Sequence, residues 1–148
     1  MKKTAPLNEN DLTTFAEKLG RLLQAGDILI LTGDLGAGKT TFTKGIARGL
    51  GITQMVKSPT FTIVREYNGG RLTLYHMDIY RIGDDPDSFD MESYFEAGGV
   101  SVIEWGELLE ADLPSNYLHI KFEKTADDSR RLILEPHGSR AEELVESV

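Results

Sequence analysis

The stretch that most constrains the fold is a glycine-rich loop at residues 33–40, with the sequence GDLGAGKT. It follows the apolar run DILILT at residues 27–32, which is typical of a buried strand. It leads into residues 39–50, where apolar side chains recur at helical spacing. A buried strand, a glycine loop and a helix in succession predict an α/β fold, in which helices cover a partly parallel sheet.

The loop matches the pattern G-x-x-x-x-G-K-[ST], known as Walker A. In such a loop the backbone N–H groups surround a phosphate, and the next helix points the positive end of its dipole at it. The lysine would contact the β and γ phosphates, and the threonine after it would offer its hydroxyl to Mg²⁺. The alternative is a glycine turn that only joins a strand to a helix. The residues expected to bind nucleotide are Gly33, Asp34, Leu35, Gly36, Ala37, Gly38, Lys39, Thr40 and Thr41.

The rest of the chain completes a single predicted domain over residues 1–148, with no role assigned to the tail after about residue 136. The hairpin chemistry of Asn68-Gly69-Gly70 joins two β-rich runs, because Asn and Gly tolerate the positive φ of tight turns. The predicted fold class is α/β: a P-loop NTPase-like domain with a mixed central β-sheet and an antiparallel hairpin, flanked by helices. Helices are predicted at residues 8–24, 39–50 and 91–97, a helical turn at 106–111, a helical or frayed tail from about 138, and strands at 27–32, 61–67, 71–78, 99–104, 117–123 and 131–135.

Composition narrows the classes of function. The 148 residues contain no cysteine, which excludes a disulfide framework and fits a reducing compartment. The amino terminus lacks the apolar stretch of a signal peptide, and no run approaches the length of a membrane span. We therefore expect a cytoplasmic protein that does not engage membranes. The formal net charge of −8 argues against a direct, sequence-independent grip on nucleic acid.

Two carboxylates close apolar runs that read as strands. Asp78 ends the run LYHMD, and Glu104 ends SVIE, just before Trp105. Open α/β sheets bind ligands beyond the carboxyl ends of their strands, and Mg²⁺ needs only one or two carboxylates. We therefore expect Thr40, Asp78 and Glu104 to bind the metal. The alternative is that both acids merely end their strands in solvent.

Several other polar residues carry weaker expectations. The segment Ser58-Pro59-Thr60 either starts a strand or forms a switch loop whose Thr60 reaches the nucleotide or water. His76 is expected to be a partly buried polar residue of its strand rather than a base. Trp105 packs in the core or lines the nucleotide site, and spacing does not decide whether Tyr80 and Arg81 contact phosphate.

A GTPase is disfavoured, because the guanine-reading tetrad N-K-x-D does not occur in the chain. Three other classes of P-loop protein remain open: a small-molecule kinase, an ATPase and a non-catalytic ATP-sensing module. A small-molecule kinase is compatible with the loop, although the acidic stretch GDDPDSFDMES is a poor clamp for phosphates. Loss of activity in a Glu104→Ala variant that still binds ATP would distinguish a hydrolase from a sensor.

Four motifs, in this order and at these spacings, give the chain a more specific resemblance. GDLGAGKTT, VKSPTFTIV, LYHMDIYR and IEW together resemble the TsaE (YjeE) family over roughly residues 5–135. The resemblance implies a small P-loop ATPase needed to form threonylcarbamoyladenosine (t6A) at position 37 of tRNAs that read codons beginning with A. It also implies that TsaD and TsaB, which form the transferase core, are partners, and that the protein contacts tRNA only indirectly through them. Proteins of this family hydrolyse ATP to support turnover and do not transfer the threonylcarbamoyl group themselves.

The resemblance also assigns roles to individual residues. It implies that ATP binds at Gly33 through Thr41 and that Thr40 and Glu104 are Mg²⁺ ligands. Asp78 matches the Walker-B-like aspartate of the family, and a catalytic set of Lys39, Asp78 and Glu104 follows. Ser58-Pro59-Thr60 matches the first switch-like loop of the family, and Trp105 matches the tryptophan beside its glutamate. We expect Thr60 and Trp105 to contribute to nucleotide binding. The positions that would contact adenine correspond to Glu9, Asn10 and either Arg130 or Arg131.

Overall fold

A computed structural model describes residues 2–33, 38–54, 56, 64–78, 91–104, 113–125 and 129–148 of the chain. Within these ranges most of the predicted helices and strands are present and begin close to the predicted bounds. The order of the elements is β1 (Lys2–Lys3), α1 (Glu9–Leu22), β2 (Ile28–Thr32), α2 (Lys39–Gly49), β3 (Val64–Tyr67), β4 (Leu74–Asp78), α3 (Met91–Phe95), β5 (Val100–Glu104), β6 (Tyr117–Lys124), β7 (Arg130–His137) and α4 (Ser139–Ser147). The predicted helical turn at 106–111 lies outside the described residues.

The strands form one mixed sheet in the order β1-β7-β6-β2-β5-β4-β3. The four inner strands are parallel, β2 pairing with β5 and β6, and β5 pairing with β4. At the edges, β3 runs antiparallel to β4, and β7 runs antiparallel to β6 and β1. Because β2 lies in the middle of the parallel group, the glycine-rich loop leaves the centre of the carboxyl edge. The predicted fold class, a mixed α/β sheet with an antiparallel hairpin and flanking helices, is confirmed.

The two faces of the sheet are buried in different cores. Leu29 and Leu31 of β2 pack with residues of α1, α2 and α4, whereas Ile28 and Ile30 pack on the other side with residues of α3. This alternation is what a central strand buried on both sides requires. We call the side that carries Leu29 and Leu31 the α2 face. Within the described ranges, no helix is both long and apolar enough to cross a membrane.

Helices α1 and α2 cross at very close range because three of their facing residues are glycines. An added Cβ at Gly45 would lie 2.5 Å from the Cβ of Ala16 and 2.9 Å from the carbonyl oxygen of Thr13. At Gly20 it would lie 2.6 Å from the carbonyl oxygen of Ile46, and at Gly49 it would collide with the carbonyl oxygen of Glu17. The close crossing fixes the direction in which α2 projects from the glycine-rich loop.

We expect Gly45→Val to destabilise the protein by about 2 kcal/mol or more, because the new side chain would be forced into the backbone of α1. The free energy of unfolding in urea measures the effect. Lys44→Ala is the matched control, since Lys44 is the preceding residue of the same helix and is exposed. An unfolding midpoint for Gly45→Val equal to that of the control would contradict the close crossing.

The hairpin of β3 and β4 is confirmed, but its loop is longer than predicted. The paired residues run from Val64 opposite Met77 to Tyr67 opposite Leu74, so β4 begins at residue 74 and not at 71. The reason is tertiary. The backbone N–H of Arg71 donates to the carbonyl oxygen of Leu50 at 2.7 Å, and its guanidinium donates to the carbonyl oxygen of Gly20 at 3.0 Å. These contacts hold residue 71 against α1 and α2, so it cannot pair with β3.

The tail, to which the sequence assigned no role, is a helix that covers the α2 face. Ala141 and Leu144 of α4 are buried in the larger core. Arg140 donates to both carboxylate oxygens of Asp27, at 3.0 and 2.9 Å, and Asp27 is itself buried. The hydrogen bonds to Asp27 are the main reason that the pKa of Arg140 is raised. This ion pair joins the end of the chain to the start of β2.

We expect Arg140→Ala to lower the free energy of unfolding by roughly 2 kcal/mol, because Asp27 would stay buried without its cation. Glu143→Gln is the control, since Glu143 is an exposed partner of the same arginine at 3.2 Å and such pairs contribute about 0.5 kcal/mol or less. Urea denaturation of both variants gives the comparison. Equal losses would mean that the pair with Asp27 contributes no more than a surface contact.

On the opposite side of the sheet, β6 and β7 carry a polar row. Lys121 donates to Glu135 at 3.0 Å, and this hydrogen bond is the main cause of the lowered pKa of Glu135. A lowered carboxylate pKa adds stability above the value of the unfolded chain, and that stability is lost as the pH falls through the folded value. We expect Lys121→Ala to cost about 0.5 kcal/mol at pH 7 and nothing near pH 2, measured by urea denaturation. A cost that does not change with pH would contradict this origin.

Candidate functional site

The glycine-rich loop ends at the first turn of α2 in a conformation that requires glycine. Gly38, the residue before the helix, has a φ of 101°, which side chains with a Cβ rarely adopt. An added Cβ there would also lie 3.0 Å from Leu12 Cδ2 of α1. The second glycine of the Walker A pattern is therefore required by its backbone angle, and a larger residue there would also have to displace the end of the Leu12 side chain.

Among the described residues, no side chain caps the amino terminus of α2. The first backbone N–H groups of a helix have no partner within the helix, and the helix dipole adds positive potential at this end. The first hydrogen bond of the turn runs from the N–H of Phe42 to the carbonyl oxygen of Gly38 at 2.9 Å. The helix therefore presents its first amides at the carboxyl edge of the sheet, which suits an anion.

Lys39 is the first residue of α2 and is buried. Its Nζ donates to the carbonyl oxygen of Gly33 at 3.0 Å, which ties the two ends of the glycine-rich loop together. The same Nζ lies 3.8 Å from Oε1 of Glu104, which is also buried. The lysine of the Walker A pattern and the acid at the end of β5 therefore lie next to each other at the carboxyl edge of the sheet.

Strand alternation explains why these groups meet. Val100 and Val102 of β5 are buried on the α2 face, so Glu104, two residues further on, faces the same side. Glu104 is directly opposite Leu31 on β2 and Asp78 on β4 in the parallel ladders. Asp78 is half-buried and shares the α2 face with Glu104. Two carboxylates therefore stand side by side at the edge where α2 begins.

His76 is more deeply buried than the sequence suggested. Its side chain is completely inaccessible to solvent, and its Nε2 lies 2.7 Å from Oε2 of Glu104. Position 76 faces the α2 side because Leu74, two residues earlier on β4, packs there. The expectation of a partly buried strand residue was wrong about the depth of burial. The alternation of β4 was the signal that could have placed His76 on the α2 face, the side that Glu104 also faces.

Only some of the predicted site residues are among those that the structure describes. Thr40 and Thr41 follow Lys39 in the first turn of α2, and both are half-buried. The predictions for Asp34 through Ala37, for Ser58-Pro59-Thr60, for Tyr80 and Arg81, and for Trp105 lie outside the described residues. Those assignments stay predictions.

The two arginines considered for base recognition are not equivalent. An added Cβ on Gly38 would lie 3.8 Å from Cγ of Arg130, so this side chain runs beside the start of α2. Residue 130 also bridges to Leu7, which precedes α1, through hydrogen bonds of 2.6 and 2.8 Å. Arg131 is opposite Glu123 and belongs to the other face of the sheet. Of the two, Arg130 is the one near the glycine-rich loop.

The donor set at this edge fits Mg²⁺ better than a transition metal. Among the described residues, no group of three His, Cys, Asp or Glu side chains is arranged to hold a metal ion. Mg²⁺ does not need such a group, because it keeps waters and takes one or two carboxylates together with phosphate oxygens. Asp78 and Glu104 on neighbouring strands, with the hydroxyl of Thr40 at the start of α2, make a set of that kind.

The chain is similar to known proteins of one family. The family model described as "Threonylcarbamoyl adenosine biosynthesis protein TsaE" matches residues 7–133. The protein named tRNA threonylcarbamoyladenosine biosynthesis protein TsaE from Bacillus subtilis (strain 168) is 45% identical over 146 residues, which cover 99% of this chain and 92% of the relative. The protein of the same name from Treponema pallidum (strain Nichols) is 44% identical over 124 residues, covering 82% of this chain and 91% of the relative.

A solved structure extends the likeness to the fold. The crystal structure of Bacillus subtilis YdiB superposes with a TM-score of 0.84 at 43% sequence identity, over 98% of this chain and 90% of that one. The family model, the relatives and the solved structure all cover the glycine-rich loop and both strands that end in an acid. The chain therefore belongs to the TsaE family of threonylcarbamoyladenosine biosynthesis proteins, a P-loop family.

Proposed function

We propose that this protein is an ATPase that supports formation of t6A at position 37 of tRNAs reading codons that begin with A. The observation that carries the proposal is the distance of 3.8 Å between Nζ of Lys39 and Oε1 of Glu104. This pair lies at the amino terminus of α2, which no side chain caps within the part of the chain that the structure describes. A cation, a ring of amides and an acid at one strand edge are the parts that a Mg²⁺-nucleotide site needs. Membership of the TsaE family supplies the t6A pathway as the biological context.

The chain's own residues divide the work of such a site. The amides at the start of α2 bind phosphate oxygens, and Lys39 neutralises the charge on the β and γ phosphates. Thr40, Glu104 and Asp78 would hold Mg²⁺ or its waters, and the metal would supply neutralisation of charge on the transferring phosphoryl group. Asp78 would accept a hydrogen bond from a water on the metal or from the attacking water, and so orient it. Phosphoryl transfer depends mainly on positioning of the reacting groups and neutralisation of their charge, and little on covalent catalysis. These residues therefore provide the types of group that the reaction needs.

The buried side chain of Lys39 also stabilises the arrangement of the glycine-rich loop and Glu104. In this structure Lys39 is held between the carbonyl oxygen of Gly33 and Glu104, so its charge is compensated within the protein. Phosphate binding would transfer Lys39 from these oxygens to the ligand, and a cation could then take its place beside Glu104. After this exchange each anion still has a cation beside it, which limits the cost of desolvation.

TsaD and TsaB, the transferase core, are the proposed partners, and tRNA is met only through them. The protein supports repeated turnover of that core and does not transfer the threonylcarbamoyl group itself. The net charge of −8 suits a role through protein partners rather than through tRNA phosphates. Slow hydrolysis by the isolated chain and faster hydrolysis in the complex are expected.

Reconstitution tests the proposal. TsaD and TsaB with tRNA, ATP and the threonylcarbamoyl donor are incubated with and without this protein, and t6A is counted over several turnovers. We expect a first turnover in both cases and further turnovers only when the protein and hydrolysable ATP are present. Equal multiple turnover in its absence would overturn the proposal. A phosphorylated metabolite, formed when the chain alone is incubated with labelled ATP and a metabolite extract, would favour a small-molecule kinase instead.

A further inference from the structure

We propose that His76 is a positioning residue for Glu104: it holds Oε2 by a hydrogen bond and thereby directs Oε1 toward the glycine-rich loop. The inference rests on the proposed nucleotide site, because it assigns a role to the support of one of that site's acids. His76 does not contact the nucleotide or the metal in this proposal. It acts only through Glu104.

The distances separate the functions of the two carboxylate oxygens. Oε2 lies 2.7 Å from the ring nitrogen of His76, whereas Oε1 lies 3.8 Å from Nζ of Lys39. A carboxylate can only accept hydrogen bonds, so the hydrogen is assigned to Nε2 of the ring. A charge-assisted hydrogen bond of this length is among the stronger contacts a side chain makes. Oε2 is thus committed to the sheet, and Oε1 is the oxygen left to face Lys39 and the site.

The surroundings make this support specific. Nδ1 of His76 is buried and has no hydrogen-bond partner among the described residues. An unpaired buried polar atom costs stability, so an apolar residue at this position would fill the space more cheaply. The ring is nevertheless placed at the centre of a core, between Leu74 and Asp78 on the α2 face. Among the described residues, the hydrogen bond to Glu104 is the contact that offsets this cost.

Register places His76 where it can do this without touching the ligand. His76 is directly opposite Val102, which precedes Glu104 by two residues on β5 and points to the same face. Asp78 is directly opposite Glu104 itself. His76 therefore reaches the carboxylate from behind, from the interior of the sheet, and leaves the solvent side open. Groups that hydrogen-bond a metal-binding carboxylate fix its orientation, and losing one typically reduces metal affinity about 10- to 100-fold.

The test compares His76→Leu with His76→Gln. Leucine preserves the apolar volume but cannot donate, whereas the glutamine amide nitrogen sits close to where Nε2 of histidine sits and can donate to Glu104. The readout is the binding of a fluorescent ATP analogue at increasing Mg²⁺ concentration. It gives the Mg²⁺ concentration at which the metal-dependent increase in binding is half complete, and it does not require hydrolysis. Affinity for the analogue in the absence of metal is measured in parallel. His137→Leu is the control, because His137 lies on the other face of the sheet, stacked on Tyr117.

For His76→Leu we expect the half-maximal Mg²⁺ concentration to rise about tenfold while metal-free affinity changes less than twofold. His76→Gln should return to within about threefold of the unmodified protein, and His137→Leu should match it. If His76→Leu does not fold, His76→Asn replaces it, since its amide is too short to reach Glu104 from the position of Nε2. An unchanged Mg²⁺ dependence in the variant that cannot donate would overturn the inference.

Two further outcomes are also decisive. Equal losses in the glutamine variant and the non-donating variant, together with equal losses of metal-free affinity, would show a general structural defect and overturn the positioning role. If the unmodified protein binds no Mg²⁺-nucleotide, the proposed function and this inference are both wrong. If it does bind, and only the His76 variants behave like the control, the proposed function stands and the positioning role alone is wrong.

Discussion

Replacing Lys39 by alanine is expected to weaken ATP binding by about 100-fold or more, because a buried ammonium that neutralises the β and γ phosphates is lost. The same change removes the link between the carbonyl oxygen of Gly33 and the start of α2. It also leaves Glu104 buried without its cation at 3.8 Å, so the free energy of unfolding should fall as well. Isothermal titration with ATP and Mg²⁺ measures the first effect, and urea denaturation measures the second.

Lys44→Ala is the matched control for this variant. Lys44 lies in the same helix but is exposed, so its removal changes the net charge equally without touching the loop. We expect its ATP affinity to stay within about twofold of the unmodified protein. Equal losses in the two variants would mean that ATP is attracted by overall charge and not bound at the start of α2.

Glu104→Gln is expected to separate binding from hydrolysis. The amide keeps the volume of the side chain and can still accept a hydrogen bond from His76, but it lacks the charge that Mg²⁺ requires. Hydrolysis in the presence of TsaD and TsaB should fall by about 100-fold or more, while metal-free ATP affinity changes only a few fold. Phosphate release and nucleotide titration, measured on the same preparation, give the two quantities.

Glu123→Gln serves as the control, because Glu123 is exposed on β6 and belongs to the opposite face of the sheet. It should leave both hydrolysis and binding unchanged. If Glu104→Gln loses hydrolysis but still supports multiple turnovers of t6A formation, the protein senses ATP rather than using its hydrolysis. If hydrolysis is retained, Glu104 is not part of the catalytic set.

The centre of the site was predictable because its signals are local. Strand β2, the glycine-rich loop and α2 are consecutive in sequence, and the pattern that joins them has one physical purpose. The acids were predictable for a different reason. Parallel strands end at the same edge, so two apolar runs that each close on a carboxylate bring Asp78 and Glu104 together. The distance of 3.8 Å between Lys39 and Glu104 is a consequence of both rules.

The features that sequence reasoning missed depend on contacts between distant segments. Strand β1 consists of two lysines, and it forms only because β7 offers an edge to pair with. The ion pair that fastens α4 joins Arg140 to Asp27, which lie 113 residues apart. The late start of β4 has the same kind of cause, a tertiary contact of Arg71 with α1 and α2. Hydropathy patterns do not report such pairings.

His76 is an intermediate case. Its position on the α2 face follows from strand alternation and could have been derived, since Leu74 and Asp78 flank it at intervals of two. Its hydrogen bond to Glu104 also requires the order of the strands, and the sequence alone left that order open. The contact between His76 and Glu104 can be predicted only once β4 is known to lie beside β5.

The most direct test is a crystal structure of the chain grown with a non-hydrolysable ATP analogue and Mn²⁺, whose anomalous scattering marks the metal. We expect the triphosphate to lie against the amides at the start of α2 and the Nζ of Lys39. The manganese peak should fall within about 2.2 Å of an oxygen of Glu104 or be bridged to Asp78 by one water. A triphosphate bound elsewhere, or a metal peak remote from both carboxylates, would contradict the assignment of this edge of the sheet as the nucleotide site.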